Sequence, residues 1–264
     1  MMTQPLPRRQ LLSASLTLLL LATAAPAADF TLRWHGQSFF SLETPKGKKI
    51  AFDPHAIPEF GRPKVSADII LCTHRHDDHA QPEVMENHAA ARIFHGLRES
   101  VKNRPPDWNK IDEKVGLIHI RTVPTYHDPL NGMLRGKNAI MVVDCEGLIV
   151  CHLGDLGHEL DEAQVKLIGP VDVLLIPVGG IYTINGERAK KVMAAIKPRR
   201  LTVPMHYGMP GYDDLLTADE FLDGMPDVKK YPKTNEIKIP DVAPADAKPM
   251  VAVLHWQKED DKKP

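Results

Sequence analysis

The chain has 264 residues, 43% of them hydrophobic and 25% charged, which is ordinary globular composition, enough for one large domain or two small ones. Its formal net charge of -1 provides no global field that would favour nucleic acid or an anionic membrane. Thirteen histidines are more than packing alone requires, and they direct attention to metal chemistry.

Residues 1–28 read as a signal peptide. Arg8 and Arg9 form a positive start, residues 11–21 an apolar run too short to span a bilayer comfortably, and Ala25-Pro26-Ala27 the small residues of a cleavage site. The Arg8-Arg9 pair also resembles a twin-arginine signal, the route for folded passengers, with an ordinary secretory signal as the alternative. The implied location is periplasmic or secreted. Removing the signal leaves no stable membrane anchor and a mature net charge of -3, from 31 basic and 34 acidic residues.

Short strands are predicted at 30–34, 38–43 and 48–52, with Pro45 and Gly47 marking the turn between the last two. An apolar strand at 68–73 leads into a histidine cluster, and Pro82 signals the first turn of a helix over 82–90. Strands follow at 92–95 and 116–123. The polar segment 98–114 between them, with Pro105-Pro106 and Trp108, reads as an excursion that suggests a flap over a site.

The second half repeats the pattern. A hairpin is predicted from 139–144 and 148–153, a helix at 161–168, a strand at 172–177, a helix at 185–196 and a strand at 201–204. In that hairpin Cys145 lies opposite Leu148 and Cys151 opposite Val142, so the two sulfurs are too far apart to bond, and Cys72, Cys145 and Cys151 read as buried free thiols. Strand clusters interrupted by helices suit two sheets packed face to face with helices outside, and they also suit a doubly wound sheet. The domain is placed at 29–257, with a charged, solvated tail at 258–264.

The strongest local signal is His74-Arg75-His76-Asp77-Asp78-His79, at the end of an apolar strand. Imidazole nitrogen and carboxylate oxygen are donors that zinc, manganese and iron accept. His74 and His76 alternate around Arg75 and point the same way in extended chain, while Asp78 and His79 follow a turn and can address a second ion. His127, Asp155 and His206 each stand where a predicted strand stops and a loop begins, a place where scaffolded sites are built.

This order of residues resembles the metallo-β-lactamase superfamily, and within it the L-ascorbate-6-phosphate lactonase-like metal-dependent hydrolases. The resemblance spans about residues 30–210 and includes Trp34-His35-Gly36-Gln37-Ser38, Asp53-Pro54, His152-Leu153-Gly154-Asp155, Pro177-Val178-Gly179-Gly180, Lys197-Pro198 and Pro204-Met205-His206-Tyr207-Gly208. It implies an α+β, four-layer αββα sandwich of two mixed sheets, with two divalent metal ions at one edge. Zn2+ leads, and Mn2+ or Fe2+ suit the same donors. His74, His76 and His127 would hold one ion, Asp78, His79 and His206 the other, and Asp155 would bridge them. Asp78 would also accept a proton. The chain departs from many relatives at Gln37, where they carry histidine. His35 reads as structural, His158 as a surface residue or a substrate contact, and Tyr207 as a donor near the metals or a packing residue.

The resemblance implies hydrolysis of an ester, lactone, amide or phosphodiester in a small substrate by a metal-activated hydroxide. His76 stands where oxygen-reducing relatives carry glutamate. Asp155 disfavours antibiotic hydrolysis, and the acidic balance disfavours RNA as a partner. The alternatives are an exported metal-binding protein without turnover, and a β-lactamase.

Overall fold

Alternation decides the first sheet. Ile50, Phe52, Ile69 and Leu71 are buried in one hydrophobic cluster, while their neighbours Ala51, Ile70 and Cys72 join a second, as period-two side chains on opposite faces must. The computed structural model describes residues 1–2, 29–102, 105–243 and 246–256. The signal-peptide reading, including Arg8 and Arg9, and the tail at 258–264 lie outside these described residues.

The first sheet contains β1 (Phe30–Trp34), β2 (Phe40–Glu43), β3 (Lys49–Phe52), β4 (Ile69–Cys72), β5 (Arg92–His95) and, from late in the chain, β13 (Glu236–Ile239). Its order is β13-β1-β2-β3-β4-β5, antiparallel up to β3 and parallel beyond. The second sheet contains β6 (Asp112–Val115), β7 (Ile118–Tyr126), β8 (Lys137–Cys145), β9 (Leu148–His152), β10 (Val173–Pro177), β11 (Leu201–Met205), β12 (Val228–Tyr231) and β14 (Met250–Leu254). Its order is β12-β14-β11-β10-β9-β8-β7-β6, parallel from β12 to β9 and antiparallel from β9 to β6. Two mixed sheets therefore pack face to face, and a single doubly wound sheet is excluded. The core between them joins Trp34, Phe40 and Phe52 to Val143, Val150 and Leu175.

Among the described residues, two helices pack on the second sheet and a third packs on one of them. α1 (Glu162–Ile168) starts in a capping box, in which Asp161 accepts from the Gln164 backbone N–H at 2.7 Å and Gln164 accepts in return at 3.1 Å. Such a cap contributes about 1 kcal/mol. α2 (Gly186–Ile196) is capped by Asn185 and ends at Lys197, just before Pro198. α3 (Asp219–Leu222) packs against α2.

The helix expected at 82–90 does not form. Two 3-10 turns, Pro82–Val84 and His88–Ala90, flank an extended Met85 that is buried against Ala51, Ile70 and Cys72. Asn87 pairs with both backbone groups of Ala67, at 2.9 and 3.1 Å, and the Glu86 N–H donates to the Val65 carbonyl. These tertiary bonds replace helical ones. The hairpin register is as read, with Cys145 opposite Leu148 and Cys151 opposite Val142. Cys72, Cys145 and Cys151 are free and buried, and burial pushes all three thiols up.

Candidate metal centre

Strands from both sheets end at one place. β4 runs into His74, β7 into His127, β9 into Asp155 and β11 into His206. Gly154, at φ +55°, holds a conformation that favours glycine, and a Cβ there would collide with Asn138 and Thr73. Behind it the Asp155 backbone N–H donates to Asn138 Oδ1 at 3.1 Å, while Asn138 Nδ2 donates to Thr125 Oγ1 at 2.8 Å and to the Leu153 carbonyl at 2.9 Å. His206 is turned inward by a left-handed backbone, φ 50°, with its N–H on the Gln37 carbonyl and its own carbonyl accepting from Gly179.

Asp53, fully buried at the end of β3, orients two imidazoles. It accepts from the Thr73 N–H, the Thr73 hydroxyl and His79 Nδ1, each at 2.7 Å. Because the Thr73 hydroxyl spends its proton on Asp53, its oxygen accepts from His74 Nδ1 at 3.0 Å. Both rings thereby carry their outer proton on Nδ1 and turn an Nε2 lone pair inward.

Those inward atoms converge. His74 Nε2 and His76 Nδ1 are 3.1 Å apart, and with His127 they form one group. Asp78, His79, Asp155 and His206 form the other, with one donor atom from each within 4.8 Å of the rest. Asp155 faces both groups, with Oδ2 at 3.0 Å from His127 Nε2, 3.2 Å from His206 Nε2 and 3.8 Å from His74 Nε2, and Oδ1 at 3.1 Å from His79 Nε2. All seven residues anticipated from the sequence are therefore in one cluster. Asp155 Oδ1 is buried with no hydrogen-bond partner among the described residues. An orphaned carboxylate oxygen among converging nitrogen lone pairs is the donor set a divalent cation satisfies.

The carboxylates draw positive charge to the group around His79, which a bound cation would supply in place of a proton. Burial alone lowers the His79 pKa, but Asp155, Asp78 and Asp53 outweigh it and hold it well above the ordinary histidine value. Burial and the neighbouring His79 lower His74 well below that value. Burial works to raise Asp155, yet His206, His79 and His127 keep it far below the usual carboxylate range.

The cluster opens into a cavity of about 340 Å³, where His76, Asp78, His127, Asp155 and His206 are joined by Arg135, Tyr182 and Tyr212. The Tyr212 hydroxyl is pushed up to about 12, by burial first and then by Asp78, Asp214, Asp155 and Glu59, so it stays protonated. None of the described residues of the segment 98–114 lines this cavity. Its Trp108 donates to the carbonyls of Thr125 and Asn138 and stacks under Lys137, which fastens the sheet edge where β6 pairs with β7.

Gln37 was read only as a departure, yet its Nε2 donates to Asp78 Oδ2 at 2.9 Å. His35 is buried against Ser41 Oγ at 2.8 Å, as a structural residue should be. His158 accepts from the Tyr126 N–H and bonds the Glu159 carbonyl, a local role. Tyr207 packs on Trp34, with ring centroids 5.4 Å apart. His152, inside a motif but given no role, bonds the Ser38 carbonyl and stacks on Phe52. Sequence reasoning missed the functions of Asp53, Arg135, Tyr182 and Tyr212. For Asp53 the signal was a carboxylate directly after an apolar strand.

A family model described as the beta-lactamase superfamily domain matches residues 31–206. The chain belongs to the metallo-β-lactamase superfamily. Relatives in the UPF0173 group of metal-dependent hydrolases include one from Thermoplasma acidophilum, 31% identical over 70% of this chain and 85% of its own, and one from Thermococcus kodakarensis, 31% identical over 67% and 84%. A solved structure from Thermotoga maritima, described as a candidate Zn-dependent hydrolase of the superfamily, superposes with a TM-score of 0.62 at 33% identity, covering 85% of this chain and 98% of that one. The chain thus falls among the metal-dependent hydrolases, and its two mixed sheets are the metallo-β-lactamase fold.

Proposed function

We propose that this superfamily member is an exported di-metal hydrolase that cleaves an ester, lactone, amide or phosphodiester bond in a small substrate. The observation that carries the reading is the Asp155 carboxylate, buried and facing imidazoles of both groups at 3.0–3.2 Å. His74, His76 and His127 would hold one ion, and Asp78, His79 and His206 the second, with Asp155 between them. Zinc suits this donor set, as do manganese and iron. Bound divalent ions supply polarisation of a substrate oxygen and a water acidic enough to ionise near neutral pH.

The chain's own residues do the rest. Asp53 and Thr73 hold His79 and His74 in the ligating tautomer. Asp78 is held by Gln37 at the cavity, where it can take a proton from an incoming water. Tyr212, protonated, offers a hydroxyl on the cavity wall. A cavity of about 340 Å³ suits a small molecule. The export half of the proposal is supported by the Arg8-Arg9 pair, the apolar run at 11–21 and Ala25-Pro26-Ala27.

The test joins stoichiometry to turnover. Protein purified without chelator should approach two transition metals per chain by elemental analysis, and should hydrolyse some member of a panel of esters, lactones and phosphodiesters until chelated. A metal content that stays near one after supplementation would remove the two-ion site. Two bound metals with no turnover across the panel would leave a metal-binding protein without this activity.

A further inference from the structure

Among the described residues, Arg135 is a cation without a counterion. It is half-buried at the cavity that holds His76, Asp78 and Asp155. One guanidinium N–H donates to the Ile181 carbonyl at 3.0 Å, and the group lies 5.6 Å from the Tyr182 ring centroid. Among the described residues no carboxylate pairs with it. The nearest acid along the chain, Asp128, already spends both oxygens on the backbone N–H groups of Leu130, Gly132, Leu134 and Arg135, at 2.8–3.0 Å. A guanidinium carries five N–H donors, and Arg135 leaves most of them without a partner among the described residues.

The placement is built rather than incidental. The four bonds to Asp128 fix the loop that delivers Arg135, and the bonds to Ile181 and Tyr182 fix its head. Holding an unpaired guanidinium out of full hydration costs free energy unless a ligand offsets it. Planar acid groups offset it best, because carboxylate and phosphoryl oxygens match the fork two at a time. An anionic group entering the cavity finds a complementary charge on the wall formed by Arg135 and Tyr182.

We propose that Arg135 anchors an acid group of the substrate, so that the site takes small anionic molecules bearing a carboxylate or phosphoryl group apart from the bond to be cleaved. This deepens the hydrolase reading and rests on it for the word substrate.

The test reads binding, not turnover. Calorimetry on the metal-loaded protein would compare monomethyl glutarate and methyl 4-phosphonobutanoate, each an ester with one acid group, with neutral dimethyl glutarate. Tighter binding of either acid is expected in the wild type, and the stronger of the two names the source. Arg135→Gln should weaken that acid about tenfold and leave dimethyl glutarate unchanged, while Arg135→Lys, which keeps the charge and loses the fork, should weaken it about threefold. Metal content measured on each variant checks that the centre is intact. Should Arg135→Gln lose metal, the Arg135→Lys comparison decides. Equal binding of acid and diester by the wild type, no binding of any of the three, or unchanged affinity in the variants would overturn the anchor. Acid binding through Arg135 in a protein that cleaves no ester would leave the anchor standing and remove the hydrolase reading.

Discussion

Gln37 Nε2 donates to Asp78 Oδ2 at 2.9 Å, across 41 positions of sequence. The amide thus holds the one carboxylate of the centre that stands partly open to solvent, with 36% of its side chain exposed. Its own carbonyl oxygen is taken by the Ser38 N–H, so the amide cannot flip without losing that bond.

Replacing Gln37 by leucine keeps the volume and removes the donor. Asp78 then turns more freely, and metal affinity at the group it shares with His79 and His206 should fall about tenfold. Competition with a chromophoric chelator measures this directly. Unchanged affinity for both ions would show that Asp78 is held by other means.

Asp53→Asn attacks the orientation of His79. The amide brings an N–H to a place already surrounded by three donors, so either Thr73 or His79 loses its acceptor. If His79 gives way, its proton moves to the inward nitrogen and the lone pair is lost to the centre. Loss of a charged, buried hydrogen-bond acceptor should cost about 2 kcal/mol of stability, read by urea unfolding, together with one bound metal. Wild-type metal content in this variant would refute the orienting role.

Asp155→Asn keeps the size of the side chain and removes the charge that faces both groups. Turnover should fall at least about a hundredfold, and at least one metal should bind more weakly. The sheets should persist, since the ladder bonds and the hydrophobic core do not involve this side chain, and circular dichroism would check it. Full activity with two metals retained would end the bridging assignment.

Much of this centre was legible because its chemistry is local. Three of the four ligand-bearing strand ends, those of His74, Asp155 and His206, announce themselves as an apolar run followed by a ligand, and the His74–His79 segment gathers four ligands within six residues. Asp53, Gln37 and Arg135 were not legible in their roles, because each acts through a partner that only the packing of the two sheets brings near. The same holds for the missed elements. β12 and β6 are edge strands with little apolar pattern, stabilised by pairing rather than by propensity. β14 is different, since the apolar run at 250–254 is a plain strand signal. The 82–90 segment shows the opposite error, where a proper start signal was overruled by the Asn87 bonds to Ala67.

Export gives the fourth prediction. Replacing Arg8 and Arg9 together by lysine should block transport through the twin-arginine route and leave folded, metal-loaded protein in the cytoplasm. Fractionation and immunoblotting would follow it. An unchanged periplasmic yield would identify an ordinary secretory signal and leave the metal centre assignment untouched.

The buried, unbonded thiols of Cys72, Cys145 and Cys151 have a consequence for how the protein matures. With no covalent cross-link to close, folding of the domain requires neither an oxidant nor a disulfide isomerase. Thiol reagents should reach these sulfurs only when the sheets open, which makes them internal reporters of unfolding. A reducing and an oxidising compartment would therefore leave the same three thiols in the folded domain.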